Sequence, residues 1–177
     1  MSNYNPFSDH LTDDGLVADG TNDNMNVDGS STPVPFYRGP PVGETWAIHR
    51  MIVLIEDNAN FTADGYGGVA TLTNGIDFSI FTGGVAGTET EDLLDGDPVN
   101  SVADWASNCY DMAEHTFGSG NNFIVIRWTF TKMGRPLILQ GDVNDIICLV
   151  INDDLTGLVK HQAHIQGHQI GGKDRHT

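Results

Sequence analysis

The sequence has few basic residues. Only eight Lys and Arg stand against 24 Asp and Glu, giving a formal net charge of −16, and no Lys or Arg occurs from Met51 through Ile126. Binding a nucleic-acid backbone or an anionic membrane surface requires clusters of Lys and Arg. We therefore expect neither direct nucleic-acid binding nor docking on a membrane.

Cysteine and long apolar runs are also scarce. The two cysteines, Cys109 and Cys148, are too few for a disulfide framework, and we predict that both are reduced core residues. No apolar run approaches the roughly 20 residues that span a bilayer. The first residues have neither the basic nor the apolar region of a secretory signal, so we expect synthesis in a reducing cytoplasm.

Catalytic motifs are missing as well. The segment FGSGN around Ser119 departs from the nucleophile elbow, and no Gly-rich phosphate loop with its Lys is present. His115 stands beside Asp111 and Glu114 without a nucleophile partner. We therefore expect a protein that is not an enzyme and that has no cofactor.

Three groups of polar residues invite a metal-site interpretation. In HQAHIQGH, a strand would turn His161 and His164 to opposite faces, and would place His164 and His168 two pleats apart on one face. This spacing favours ordinary edge or interface histidines over a zinc site. The segment 24–29 (NMNVDG) resembles the start of a calcium loop, but position 12 would be Pro35 rather than Glu. The acidic run 89–97 lacks ligand spacing, which favours a solvated loop.

What the sequence does contain is strand pattern. Ile124, Ile126 and Trp128 alternate with other residues at the period of two of a strand. The segment 46–55 is apolar on both faces, as in a strand buried on both sides. We predict an all-β fold: an antiparallel two-layer β-sandwich, jelly-roll-like, with Trp128 in its core. The predicted strands are 34–38, 45–56, 69–81, 123–132, 145–152 and 158–167.

One short helix is predicted near residues 101–114. Val102, Trp105, Cys109 and Met112 recur at spacings of three and four, which forms one apolar stripe on a helix. We expect Trp105 to join Trp128 in the core.

The chain divides into an extended N-terminal arm (1–32), a β-sandwich domain (33–168) and a polar C-terminal tail (169–177). The arm has six Asp, no Lys or Arg, and few apolar residues, so it cannot bury enough surface to fold alone. We predict that it is an assembly element anchored in pockets of neighbouring chains by Tyr4, Phe7, Leu11 and Leu16. The alternative is that the arm folds back on its own sandwich.

Four stretches together carry a resemblance: GETWAIHRMIVLIED, ADWASNCYD, NNFIVIRWTFTK and VINDDLTGLVKHQAHIQG. They resemble short virion structural proteins of tailed bacteriophages, which are β-sandwiches preceded by an extended arm. The resemblance covers roughly residues 33–167 and implies no catalytic residues. It implies a capsid decoration (cement) protein, or alternatively a head–tail connector or tail-associated component.

The resemblance also implies partners and a location. We expect other virion proteins as partners, namely the major capsid protein, or portal or tail proteins, and we expect a homo-oligomer. The protein would be made in the host cytoplasm and reside in the virion. A hypothesis of another class is a jelly-roll module that binds carbohydrate or a Ca²⁺-dependent ligand, which would require exposed aromatic residues. Trp46, Trp105 and Trp128 all lie in apolar stripes typical of a core.

Overall fold

The computed structural model describes residues 5–57, 72–81, 91–93, 110–115 and 122–170. These ranges contain β-strands and two short 3-10 turns, Phe130–Met133 and Gly141–Val143. The strands are β1 (Asn5–His10), β2 (Val34–Arg38), β3 (Thr45–Asp57), β4 (Ile76–Phe81), β5 (Glu91–Leu93), β6 (Tyr110–His115), β7 (Asn122–Thr129), β8 (Leu137–Gln140), β9 (Ile146–Ile151) and β10 (Lys160–Gln169).

The strands form two sheets, and every pairing among them is antiparallel. Sheet A has the order β1-β10-β3-β7-β6, with β8 also paired to β3. Sheet B has the order β2-β9-β4-β5. The predicted antiparallel sandwich is therefore confirmed, while the jelly-roll detail stays a prediction.

The core lies between the sheets and consists of alternate residues of the central strands. Trp128 of β7 is fully buried, as predicted, and packs on Phe78 of β4 with ring centroids 5.3 Å apart. Phe36 and Leu149 are cross-strand partners in sheet B and are also buried. Period-two alternation thus places one large apolar side chain from each strand in a shared layer.

A β-bulge in β3 changes which residues of this strand face the core. His49 has no partner on β10, because Gln166 pairs with Arg50 and Gly167 already pairs with Ile48. Ile48 and Met51 are therefore both buried, although they are three residues apart. Gly is required at 167, because a Cβ there would overlap the carbonyl oxygen of Ala47.

The bulge also revises the prediction that both faces of 46–55 are buried. Trp46 and Ile48 reach the core because the bulge shifts the alternation by one residue. Ile52 and Leu54 instead point away from the core and are half-buried. The segment is apolar at both even and odd positions because even-numbered residues face the core before the bulge and odd-numbered residues face it after the bulge.

The predicted helix is wrong for its last residues. Residues 110–115 form β6, which pairs with β7 from Tyr110–Trp128 to His115–Phe123. Pairing with the edge of β7 satisfies the backbone groups that a helix would satisfy internally, so tertiary context overrides a marginal helical pattern. Trp105, Cys109 and the other residues of the helix before 110 lie outside the described residues.

The arm is part of the sandwich. β1 pairs with β10 over six residues, from Asn5–Gln169 to His10–His164. Beyond β1, Thr12 forms a bridge with Tyr37, and Met25 N donates to the carbonyl oxygen of His161 over 2.9 Å. Residues 5–32 therefore fold back on their own sandwich, which is the alternative interpretation given above. Leu11 and Met25 supply apolar surface that joins the core, which composition alone does not reveal.

A buried carboxylate holds the turn before β4. Asp153 Oδ2 accepts the backbone N–H groups of Thr73, Asn74 and Gly75 over 3.0, 2.9 and 2.7 Å. Gly75 has a φ of 68°, which suits glycine. The predicted turn at Asn74-Gly75 is present, and the residues of the first hairpin strand up to 71 lie outside the described ranges.

Candidate assembly surface

The structure separates the four predicted anchors. Tyr4 lies outside the described residues. Phe7 packs on Trp46 of the same chain with ring centroids 4.5 Å apart, and Leu11 has no exposed surface. Leu11 therefore cannot occupy a pocket on another chain in this fold. Leu16 is 63% exposed and is the predicted anchor whose side chain is open to a partner.

Leu16 lies in a loop whose backbone is held in place. We call residues 13–19 the Leu16 loop. Its carbonyl groups accept hydrogen bonds from Thr12 Oγ1 (to Leu16 O, 2.9 Å) and from Asn22 Nδ2 (to Val17 O, 3.2 Å). Asp14 Oδ1 accepts the Leu16 N–H over 2.9 Å. The neighbouring Val17 is 70% exposed, so the fixed backbone presents two adjacent aliphatic side chains to solvent.

Arg38 ties this loop to both sheets. Its Nε donates to Asp9 Oδ2 of β1 over 2.7 Å, and its Nη1 donates to the carbonyl oxygen of Gly15. The guanidinium also lies 5.7 Å from the centroid of Trp46. One cation from sheet B thus contacts a strand of sheet A, the Leu16 loop and an aromatic ring.

A second set of exposed aliphatic side chains surrounds the start of β3. We call it the apolar end, and it consists of Val42, Ile138, Val143 and Ile170. Val42 is 82% exposed and precedes Gly43, whose N–H donates to Asp142 Oδ1 over 2.7 Å. Ile138 pairs with Ala47, and Ile170 N donates to Thr45 O over 2.8 Å. The backbones that carry four of the seven large exposed apolar side chains of the described residues therefore meet around the start of β3.

Sequence reasoning missed Val42 and Val143. Both are single aliphatic residues within turns, in the contexts PVG and DVN. A turn normally carries polar residues or Gly and Pro, so an aliphatic residue in such a turn is the available signal. The signal is weak, because scattered exposed aliphatic residues are normal and only the fold brings these two together.

The histidines of β10 occupy both faces of the strand. His161 is fully buried, and its Nδ1–H donates to the carbonyl oxygen of Met25 over 3.0 Å. Burial lowers the pKa of His161 to about 4, so the ring is neutral at pH 7. His164 points to the opposite face, as its odd separation from His161 requires.

His164 contacts a second histidine on β1. The rings of His10 and His164 lie edge to face, with centroids 4.1 Å apart. His10 Nδ1 lies 2.5 Å from the buried Asp23 Oδ2, which also accepts from Gln162 Nε2 over 3.0 Å. Burial lowers the pKa of His164, and electrostatic repulsion from the neighbouring His10 and Lys160 lowers it further. This arrangement fastens the arm to β10.

His168 pairs with His49 of the bulge. His49 Nε2 and His168 Nδ1 lie 2.7 Å apart. One nitrogen must donate and the other accept, so at least one of the two rings is neutral. Burial and the neighbouring His49 lower the pKa of His168. His164 and His168 thus pair with different strands, and do not converge on one point.

Polar side chains of the segment 24–29, which resembles the start of a calcium loop, form hydrogen bonds with backbone groups of the same chain. Asn26 Nδ2 donates to the carbonyl oxygen of Leu158 over 2.7 Å, and Asp28 Oδ1 accepts from Ser30 N over 3.0 Å. Within the described ranges no group of three or more His, Cys, Asp or Glu side chains is arranged to hold a metal ion. Of the acidic run 89–97, only Glu91–Leu93 is described, and these residues form β5 on the edge of β4 rather than the predicted loop.

Two tryptophans and one cysteine are buried in the packed core. Trp46 and Trp128 are buried, so neither ring offers a face on which a sugar could stack. Cys148 is a free, buried thiol of β9, as predicted, and burial raises its pKa to about 12. Trp105 and Cys109 lie outside the described residues.

Among the described residues, no helix is long and apolar enough to cross a membrane. No family model, no curated protein and no solved structure matches this chain.

Proposed function

We propose that this protein is a structural component of a tailed-bacteriophage virion, and that it acts as a capsid decoration protein. The observation that carries the proposal is the apolar end. An exposed cluster of aliphatic residues on a small domain marks a surface that another protein covers. Decoration requires such a surface, and it requires no catalytic group.

β1 and the end of β10 border the apolar end, because Asn5 pairs with Gln169 and Ile170 N donates to Thr45 O. The four stretches that resemble virion proteins provide independent support. The major capsid protein is the proposed partner, and a portal or tail protein is the alternative.

The acidic charge fits this partner. Glu44 and Asp142 flank Val42 and Val143 in adjacent turns, and Gly141 N donates to the carbonyl oxygen of Glu44 over 2.9 Å. An apolar centre with an acidic border complements a capsid surface with an apolar patch and a basic border.

The test uses particles of the phage that encodes the chain, prepared without this protein. Purified wild-type protein is added, and bound copies are counted by quantitative mass spectrometry. We expect Val42→Asp with Val143→Asp to abolish binding, because two carboxylates would be buried without partners. Val159→Asp is the matched control, because Val159 is 49% exposed and bonds to Glu56 at the other end of β3.

Two results would contradict the proposal. Failure of the wild-type protein to bind any particle, with none present in native virions, would refute the virion assignment. Equal binding by the Val42→Asp, Val143→Asp variant would show that a different surface attaches the protein.

A further inference from the structure

The outward face of sheet A carries more basic than acidic side chains, although the chain has a net charge of −16. Met51, Val53 and Ile55 face the core, so the alternate residues of β3 point outward, among them Arg50, Ile52 and Leu54. The ladder places Arg127 of β7 opposite Ile52, and Lys160 of β10 opposite Glu56.

The centre of this face is apolar. Leu54 pairs with Val125 of β7, and Val125 pairs with Ala113 of β6. Together with Ile52 they form a half-buried aliphatic strip. We call the surface made of this strip and its basic border the cationic face. The border consists of Arg50, Arg127 and Lys160. Asp111 forms ion pairs with both Arg127 and Lys132 at the edge, and Glu56 lies between Lys160 and Phe123.

The Leu16 loop has the complementary composition. Its exposed aliphatic pair, Leu16 and Val17, is flanked by the exposed carboxylates of Asp13, Asp14 and Asp19. Hydrogen bonds from Thr21 lower the pKa of Asp19, so its negative charge persists in mild acid. The loop is already held in one conformation by Arg38, Thr12 and Asn22, which reduces the entropy lost when it binds.

We propose that the Leu16 loop of one copy docks on the cationic face of a second copy of this chain. Leu16 and Val17 would cover the strip formed by Ile52, Leu54 and Val125, and the flanking carboxylates would meet the basic border. The two surfaces are different patches of the same molecule, so the contact is heterologous and builds a ring or an open chain. Such self-association does not depend on the virion assignment.

The first test is the oligomeric state of the full chain, measured by sedimentation over about 10 µM to 1 mM, the range suited to a small interface. We expect concentration-dependent association that weakens as salt is raised. Leu16→Asp should weaken association at least about tenfold, because burial of one leucine is worth more than a factor of ten. Val42→Asp is the matched control and should associate as the wild type does.

Charge reversal identifies the two surfaces. Asp13→Lys alone should weaken association, because it places a cation of the loop against the cationic face, although Asp14 and Asp19 keep the loop acidic. Arg50→Glu with Lys160→Glu should abolish association, because two acidic surfaces would meet. A mixture of these two variants should associate again, since the native loop of one fits the native face of the other.

Several outcomes would overturn the proposal. These are a wild type that stays monomeric to about 1 mM, single variants without effect, and a mixture that fails to associate. Binding of the monomer to a DNA oligonucleotide, lost on Arg50→Glu with Lys160→Glu and unchanged by Asp13→Lys, would assign the face to nucleic acid instead. The Val42→Asp, Val143→Asp variant should still self-associate even where it no longer binds particles. That result would show that self-association uses a different surface from the apolar end.

Discussion

Asp9 and Arg38 join the two sheets of the sandwich through an ion pair whose Oδ2 and Nε atoms lie 2.7 Å apart. Asp9 belongs to β1 of sheet A and Arg38 to β2 of sheet B. Both side chains are largely buried, so solvent screens this pair less than an exposed one. The pair fixes the first strand of the arm and the Leu16 loop at the same point.

Breaking this pair should loosen the arm. We expect Arg38→Met to lower the free energy of unfolding by about 1.5–3 kcal/mol, because the Asp9 carboxylate loses a charge-assisted hydrogen bond. Urea denaturation of Arg38→Met, Asp9→Asn and the double variant measures the coupling. A coupling energy near zero would show that the two side chains contribute independently.

The two leucines of the arm should respond differently to truncation. Leu11→Ala should cost about 2–5 kcal/mol, because it leaves a cavity in the core. Leu16→Ala should stay within about 0.5 kcal/mol of the wild type, because its side chain is exposed in the single chain. Thermal and urea unfolding of the two variants at low protein concentration provides the comparison. Equal effects would contradict the placement of Leu11.

Acid should destabilise the fold through His161. Its pKa is about 4 in the folded protein and near its ordinary value of 6.5 when unfolded, so the unfolded state binds more protons between these values. Stability should therefore be highest above about pH 6.5 and fall as pH is lowered toward 4, by about 3 kcal/mol in total. His164 and His168, whose pKa values are also lowered, act in the same direction.

The control for this pH dependence is His161→Gln. An amide can still donate to the carbonyl oxygen of Met25, but it does not titrate. We expect this variant to be less stable at pH 7 and to show a shallower loss of stability between pH 6.5 and 4. A slope equal to that of the wild type would assign the acid sensitivity to other groups.

Trp128 should be among the most sensitive core positions. It is fully buried against Phe78, so Trp128→Ala should cost about 3–5 kcal/mol. Val159→Ala, at an exposed position, is the control. A melting temperature unchanged by Trp128→Ala would contradict the burial of the indole ring.

Comparison of predicted and observed strand bounds shows which strands the local sequence pattern identifies. β2 (Val34–Arg38) matches its predicted bounds, and β3, β9 and β10 differ from theirs by one or two residues. Their β-branched content and their bounding Pro, Gly and Asn are local signals. β1, β5, β6 and β8 have no sequence pattern that predicts a strand, because each is short and draws its stability from the strand beside it. The bulge at His49 likewise has no local signal, because it exists only in the register of β3 against β10.

Some residues of the candidate surfaces can also be selected from the sequence, and others are brought together only by strand pairing. Leu16 could be selected from the sequence as an apolar residue in an acidic arm, but Leu11 could not be separated from it, since burial depends on where β1 lies. The absence of Lys and Arg from 51 to 126 predicts neither nucleic-acid binding nor membrane docking, and it gives no indication of a local basic face. Arg50, Arg127 and Lys160 are far apart in the chain, and only the pairing of β10, β3 and β7 brings them to one face.

The residue pattern is sufficient to predict the fold class, because alternation with a period of two is a property of consecutive residues and favours strands wherever the segment lies. The same pattern predicts the burial of Trp128 and Cys148, which lie within strongly apolar strands. Three features follow only from tertiary contacts: the arm folds on its own sandwich, residues 110–115 form a strand, and basic and aliphatic residues share surfaces. Each of these depends on contacts between segments far apart in the chain, whose free energy no local pattern contains.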